Sequence, residues 1–441
     1  MTDLTRQPAD TTPHEVAGYP DGIGKFVAEE LARVAQFPSD VAFDTGEYDA
    51  RRTRLRSAMA DANIDVLIVT APEGSAWLHG FTSRVYEWQA STYFPPSAAT
   101  VVTAENDTMF YVDSALHTDL IRRTSVVSDF RPVPESTLTT NTTGKAYVDF
   151  IVEQLRSEGW HRVRVGMELW SGIPNPAVMQ LYRDALTDAG YTVVDATDVI
   201  RRVRRVKSPA ELDRIMRAQH AVDSGIRAVQ AQVEPGMTEY EAHGIYLRGV
   251  MEGGGEQSAI HDTVYAGPPE SFGHEVSSRR YRFDRNDYIH VDGAAASAGY
   301  HARACRVLTF GKPRSELQRL NDICAGALEV LTVVPEAGMP FSELDHALED
   351  YFRKADVGEG IGFVGGYELG ISMGADYVGE FVWGSTLPER GGVIEAGLVT
   401  NVESLSFIAL IDTVLFEQKG ARTLSELPRD ILQVEAPDER G

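Results

Sequence analysis

The strongest constraint on the fold is that the chain repeats itself. The segment VEPGMTEYEAHGIYLRGVMEGGGE (Val233–Glu256) is echoed further on by VPEAGMPFSELDHALEDYFRKADVGEG (Val334–Gly360). Gly236-Met237 and Gly338-Met339 stand at the same offset from Glu241 and Glu343. In each copy a Gly-Met turn opens a helix, and a Gly-rich segment and strand patterns follow. Such self-similarity means one supersecondary unit used twice. The expected result is two similar α+β halves about a pseudo-twofold axis, with a pocket between them.

The rest of the chain parses around that duplication. Residues 1–47 are polar, with Pro, Asp and Gly around one helical pattern at Gly24–Val34, and read as an N-terminal arm. Residues 48–205 form a first α/β unit. Arg51–Ala62 has helical spacing, IDVLIVTAP (Ile64–Pro72) is a short apolar run ending in a loop, and TMFYVDS (Thr108–Ser114) and RVRVGMEL (Arg162–Leu169) are strand patterns. Helical patterns at Ala115–Thr124 and Tyr147–Glu158 separate them, which predicts an α/β layer on a mainly parallel sheet. Residues 206–441 open with VKSPAEL, where Ser208 is an N-cap, Pro209 the first helical residue and Glu211 the capping-box partner. Leu212, Ile215, Met216, Val222, Ile226 and Val229 then make an apolar stripe facing a core.

Length and charge exclude several classes. A chain of 441 residues with 43% apolar content suits two or three globular domains, and no apolar run is long enough to span a bilayer. MTDLTRQPADTTPHEV has no basic start followed by an apolar stretch, so no secretory signal is expected. With only Cys305 and Cys324, the expectation is a cytoplasmic protein without disulfides. A net charge of −24 opposes nucleic-acid binding, which needs clustered Lys and Arg. The one basic run, Arg201–Lys207, reads as a domain junction.

Four blocks carry the chemistry. They are DYIHVDGAAASAGYHARACRVLTFGKP (Asp287–Pro313), GGYELGI (Gly365–Ile371), EAGLVTNVESL (Glu395–Leu405) and ALIDTVLF (Ala409–Phe416). In order and spacing they resemble the active-site blocks of the pita-bread family, which includes methionine aminopeptidase, prolidase and creatinase. The resemblance implies a creatinase-type α/β N-terminal domain and an α+β pita-bread C-terminal domain, itself a pseudo-twofold duplication. Metal-dependent members place Asp, Asp, His, Glu and Glu in these blocks. Here Asp292 and Glu403 remain, while Arg303, Tyr367 and Ile411 hold the other positions. Hard divalent ions need several oxygen or imidazole donors and little competing positive charge, so no metal and no cofactor are expected.

The family has metal-free branches, creatinase and ectoine hydrolase, which cleave a non-peptide C–N bond in a small zwitterion. The segments AWLHGF (Ala76–Phe81), DAT…VKSPAEL (Asp195–Leu212), YH-x4-R-x4-GKP (Tyr300–Pro313) and GYELGI…DYVGE (Gly366–Glu380) are similar to ectoine hydrolases. His274 falls where both branches carry a key histidine, and an imidazole suits proton transfer near neutral pH. Tyr300-His301 matches a YH pair; His301 reads either as a substrate or proton-transfer group or as a buried structural histidine. Glu403 is implied as a fixed anion facing a substrate cation or as an attacking group. Asp292 either joins it or pairs with Arg303.

Tyr367 reads as a hydrogen-bond donor or as aromatic packing. Cys305 stands where creatinase has a guanidinium-binding Glu, which counts against creatine; it is a small buried residue or an activated thiolate. Arg84, Tyr86 and Trp88 lie in a loop that, in the metal-free relatives, reaches a partner's active site and binds the substrate carboxylate, so a homodimer is implied. The reading is a metal-independent C–N hydrolase acting on an ectoine-like cyclic amidine or guanidino acid. A lyase or cyclase on the same scaffold, a non-catalytic binding protein and, last, a metal-dependent Xaa-Pro peptidase are the alternatives.

Overall fold

The computed structural model describes residues 22–81, 97–134, 143–268, 277–355, 364–373, 379, 381–384, 392–405 and 407–434. The chain divides between Val203 and Arg204 into two units, each with its own sheet. Among the described residues, no helix is long and apolar enough to cross a membrane.

The first unit runs α1 (Ile23–Val34), α2 (Thr45–Asp61), β1 (Val66–Val69), α3 (Pro72–His79), β2 (Ala99–Thr103), β3 (Met109–Ser114), α4 (Thr118–Thr124), β4 (Phe130–Val133), α5 (Thr143–Ser157), β5 (Arg164–Met167), α6 (Pro176–Asp188) and β6 (Thr192–Asp195), before α7 (Thr197–Arg205). Its sheet has the order β4-β3-β2-β1-β5-β6. The β1–β5, β5–β6 and β3–β4 pairings are parallel, while β2 runs antiparallel to both β1 and β3. The sheet is therefore mixed, where the sequence pattern predicted mainly parallel. Strand β2 is buried at every position, so it shows no alternation. The segment after Pro72, expected as a loop, is helix α3, with Pro72 in its first turn and Gly80 closing it at φ +92°. The Ala115–Thr124 pattern splits into a 3-10 turn at Ala115–His117 and then α4.

The second unit shows the duplication. One half is α8 (Pro209–Gln232), α9 (Glu239–Glu252), β7 (Thr263–Ala266), β8 (Tyr288–Ser297) and β9 (Tyr300–Phe310). The other is α10 (Ser315–Val333), α11 (Phe341–Ala355), β10 (Val364–Tyr367), β11 (Val382–Gly384), β12 (Val399–Leu405) and β13 (Ala409–Phe416), followed by β14 (Ala421–Thr423) and β15 (Leu432–Val434). The shared sheet runs β11-β10-β12-β13-β9-β8-β7. The halves meet where Ile411 of β13 opposes Cys305 of β9.

The Gly-Met turns are equivalent in detail. Gly236 and Gly338 have φ of +96° and +93°, a conformation that favours glycine. Gly236 N–H donates to the Phe283 carbonyl and Phe283 N–H to that of Met237; Gly338 and Met339 exchange the same two bonds with Ile394. Both first-half helices are capped by boxes, Ser208 with Glu211 and Thr238 with Glu241. Helix α8 buries Ile215, Val222, Ile226 and Val229 as expected. Met216, assigned to that stripe, is instead 45% exposed, because a position adjacent to Ile215 turns away from the buried face. In the second half Leu328, Phe341, Trp383, Leu410 and Phe416 belong to one apolar core between α10, α11 and the sheet.

Candidate active site

Strand periodicity decides which side chains share a face of the sheet. Asp292 of β8 opposes Cys305 of β9, and Glu403 of β12 opposes Ile411 of β13. Alternation then puts His290, Asp292, His301, Arg303, Cys305, Asn401, Glu403, Ile411 and Thr413 on one face. The two carboxylates occupy equivalent places in the two halves. At Arg303 the β9–β13 ladder is interrupted by a side chain: Thr413 Oγ1 donates to the Arg303 carbonyl and accepts from its N–H, each at 2.9 Å.

The guanidinium of Arg303 fills the centre of this face. Its Nε and Nη2 donate to the two oxygens of Asp292 at 2.9 and 2.6 Å. Nη1 donates to Glu403 Oε1 at 2.6 Å and to the Tyr367 hydroxyl at 2.7 Å. All four residues are buried. Burial alone would lower the Arg303 pKa, but Asp292, Tyr367 and Glu403 outweigh it, and the group is held well above its ordinary value. The ion pair between Asp292 and Arg303 is therefore present, and Arg303 also takes Glu403.

Asn401, which the sequence reading did not single out, completes the arrangement. Its Nδ2 donates to Glu403 Oε1 at 2.8 Å, while its Oδ1 accepts from the Tyr367 N–H at 2.7 Å. Gly366 is what lets β10 come this close: a Cβ there would lie 1.8 Å from the Asn401 carbonyl oxygen. Tyr367 stays a phenol, since burial raises its pKa above the usual value and outweighs the opposing pull of Arg303. Because its oxygen accepts from Arg303, its own proton is left to donate.

The other candidates are held structurally. His301 Nε2 accepts from the Ala259 N–H at 2.9 Å, which puts the ring proton on Nδ1, 3.2 Å from the Gly370 carbonyl. Both nitrogens are thus committed to backbone, the geometry of a structural histidine. Tyr300 is buried and its hydroxyl donates to Glu211 Oε1 at 2.9 Å, tying β9 to the capped start of α8. Cys305 lies in an apolar patch with Ala409 and Ile411; burial, with Asp292 adding to it, pushes its thiol well above the usual range. It packs as a small apolar side chain, and its burial disfavours the thiolate. His274, Arg84, Tyr86 and Trp88 lie outside the described residues.

Further buried polar groups flank the face. His290, two residues before Asp292, accepts from the Ala409 N–H at 2.9 Å and stacks on Tyr265; burial holds it neutral, with a pKa of about 4. Lys207 and Glu368 form a buried ion pair, and Lys207 Nζ also donates to the carbonyls of Arg204 and Arg205. Asn401 and His290 were legible as i±2 neighbours of the two carboxylates, and Glu368 as an acid adjoining Tyr367.

Comparison with known proteins agrees with this frame. Residues 51–206 match the creatinase/prolidase N-terminal domain, and residues 213–423 match metallopeptidase family M24. The two matches together support the pita-bread family. It is similar to the ectoine hydrolase of Halomonas elongata, 24% identical over 421 residues, covering 88% of this chain and 98% of that one. The Xaa-Pro dipeptidase of Pyrococcus furiosus is 24% identical over 241 residues, or 53% of this chain and 67% of the relative. Among solved structures, the X-Pro aminopeptidase of Thermotoga maritima superimposes with a TM-score of 0.70 at 19% identity, covering 87% of this chain and 99% of that one. These likenesses support a hydrolase on a pita-bread scaffold.

The divalent metal implied by family M24 does not fit the residues present. Among the described residues, no group of three or more His, Cys, Asp or Glu is arranged to hold an ion. Both Asp292 oxygens and Glu403 Oε1 are already taken by a guanidinium, and the remaining two positions are a phenol held by Arg303 and an isoleucine. A cation entering there would have to displace another one that is tied to the chain.

Proposed function

We propose that this protein is a metal-independent hydrolase of a non-peptide C–N bond in a small zwitterion, of the cyclic-amidine type. The observation that carries the reading is the Arg303 fork on Asp292 and Glu403, which puts an organic cation where the metal-dependent enzymes need inorganic ones. The near full-length likeness to an ectoine hydrolase supports it.

In this reading His274 takes a proton from water as the hydroxyl adds to the amidine carbon, and returns it to the nitrogen that leaves. Tyr367 gives its O–H to an acceptor on the ligand. Glu403, fixed through Oε1 by Arg303 and Asn401, offers Oε2 to an N–H of the substrate. Arg84 and Trp88 of one protomer take the substrate carboxylate in the site of its partner, so the active species is a homodimer.

The test is a thermal-shift screen of ectoine, hydroxyectoine and creatine, followed by turnover measurements, since a ligand bound only by the native state raises apparent stability. The expected result is a shift and turnover with a cyclic amidine, unchanged by a chelator and abolished in a folded His274→Ala variant. Loss of turnover on metal removal, restored by adding a divalent ion, overturns the proposal.

A further inference from the structure

The fork on Arg303 also bears on what the pocket refuses. Of the five N–H donors of a guanidinium, four are used: one from Nε, one from Nη2 and two from Nη1. The acceptors are both oxygens of Asp292, one of Glu403 and the Tyr367 phenol. Arg303 thus makes the bidentate carboxylate contact that a guanidino ligand would otherwise make, and cancels one of the two negative charges. Its neighbours on the strand face, Cys305 and Ile411, bring no charge, and no described residue donates to Glu403 Oε2.

We propose that Arg303 is the specificity-determining residue of this pocket: a resident cation that fills the Asp292–Glu403 carboxylate pair, excluding both divalent ions and guanidinium-bearing ligands. Its second effect is positional, because it fixes Tyr367 as a donor and leaves Glu403 a single usable oxygen. A ligand that turns one N–H to Glu403 Oε2 and a carboxylate or carbonyl oxygen to the Tyr367 hydroxyl matches that pair; a planar fork of donors does not. This rests on the reading of the face as a ligand pocket, and it narrows the substrate from guanidino acids to amidines or amides that present a single N–H to this face.

The experiment uses the full chain, with guanidinium chloride and manganese(II) chloride as separate probes in calorimetry. Wild type is expected to bind neither. Arg303→Ala opens a cavity with two carboxylates and is expected to bind guanidinium with a Kd of about 1 mM, as suits a ligand of few atoms. Arg303→Lys, a point charge without the fork, is expected to bind neither probe. If Arg303→Ala does not fold alone, refolding in 20 mM guanidinium chloride (about a hundredth to a fiftieth of a usual denaturing concentration) should recover it while sodium chloride does not.

Guanidinium or manganese binding by wild type at that affinity overturns the proposal. So does a folded Arg303→Ala that binds neither probe, or a misfolded one that guanidinium fails to recover. None of these readouts needs the substrate. A wild type inactive on every zwitterion would sink the hydrolase reading while leaving the assignment of Arg303 intact.

Discussion

Removing the cation should cost more than removing either anion. Arg303→Met leaves Asp292 and Glu403 buried without their partner, whereas Asp292→Asn leaves Arg303 with Glu403 and Tyr367 and an amide oxygen that still accepts one N–H. Breaking a buried ion pair from one side costs about 3–5 kcal/mol. Arg303 serves two carboxylates, each at 2.6 Å, so its loss belongs at the upper end, and Asp292→Asn belongs near the lower one. The double variant has no uncompensated Asp292 charge, so it should fall short of the sum by about 2 kcal/mol or more. Hydrogen exchange of the β8, β9 and β12 amides reads the opening free energy of this part of the sheet directly. Additive costs or a penalty below about 1 kcal/mol would refute the argument.

Three other outcomes follow from the same geometry. Gly366→Ala drives a methyl to within 1.8 Å of the Asn401 carbonyl, so β10 must shift; a loss of about 3 kcal/mol is expected, with turnover falling because Tyr367 moves, and a near-neutral variant would contradict the close approach. His290 is neutral when folded, with a pKa near 4 against the ordinary 6.5. Its contribution is therefore intact above pH 6.5 and lost as pH falls toward 4, about 3 kcal/mol over that window, and His290→Gln should flatten this part of the acid dependence of urea denaturation. Tyr300→Phe removes the hydroxyl that reaches Glu211 and should cost about 1–2 kcal/mol with kcat little changed, measured by denaturation beside steady-state kinetics.

The duplication was legible because its marks are backbone requirements. Gly236 and Gly338 share a positive φ that favours glycine, and each is followed by Met and, five residues on, by Glu. Asp292, Arg303 and Glu403 were legible as members of one site because their blocks resemble those of the pita-bread family, and the β8–β9 hairpin fixes the offset of the first two. What sequence does not carry is the direction of each hydrogen bond. His301 looked equally suited to chemistry and to packing until the Ala259 N–H and Gly370 carbonyl were seen to claim both nitrogens. Strand β2 was missed because it is buried along its whole length and shows no alternation. Asn401 was overlooked because an amide next to a carboxylate is ordinary until one sees that it braces Tyr367 and Glu403 together.

The pairing register has one more consequence. Asp292 opposite Cys305 and Glu403 opposite Ile411 are equivalent positions, so a ligand on the axis between the halves would meet nearly the same surroundings in either of two orientations. Two residues before Cys305 stands Arg303; two before Ile411 stands Ala409. With His290 set against Asn401, that inequality breaks the tie. A ligand bound there would meet a head and a tail, and so would have one way round.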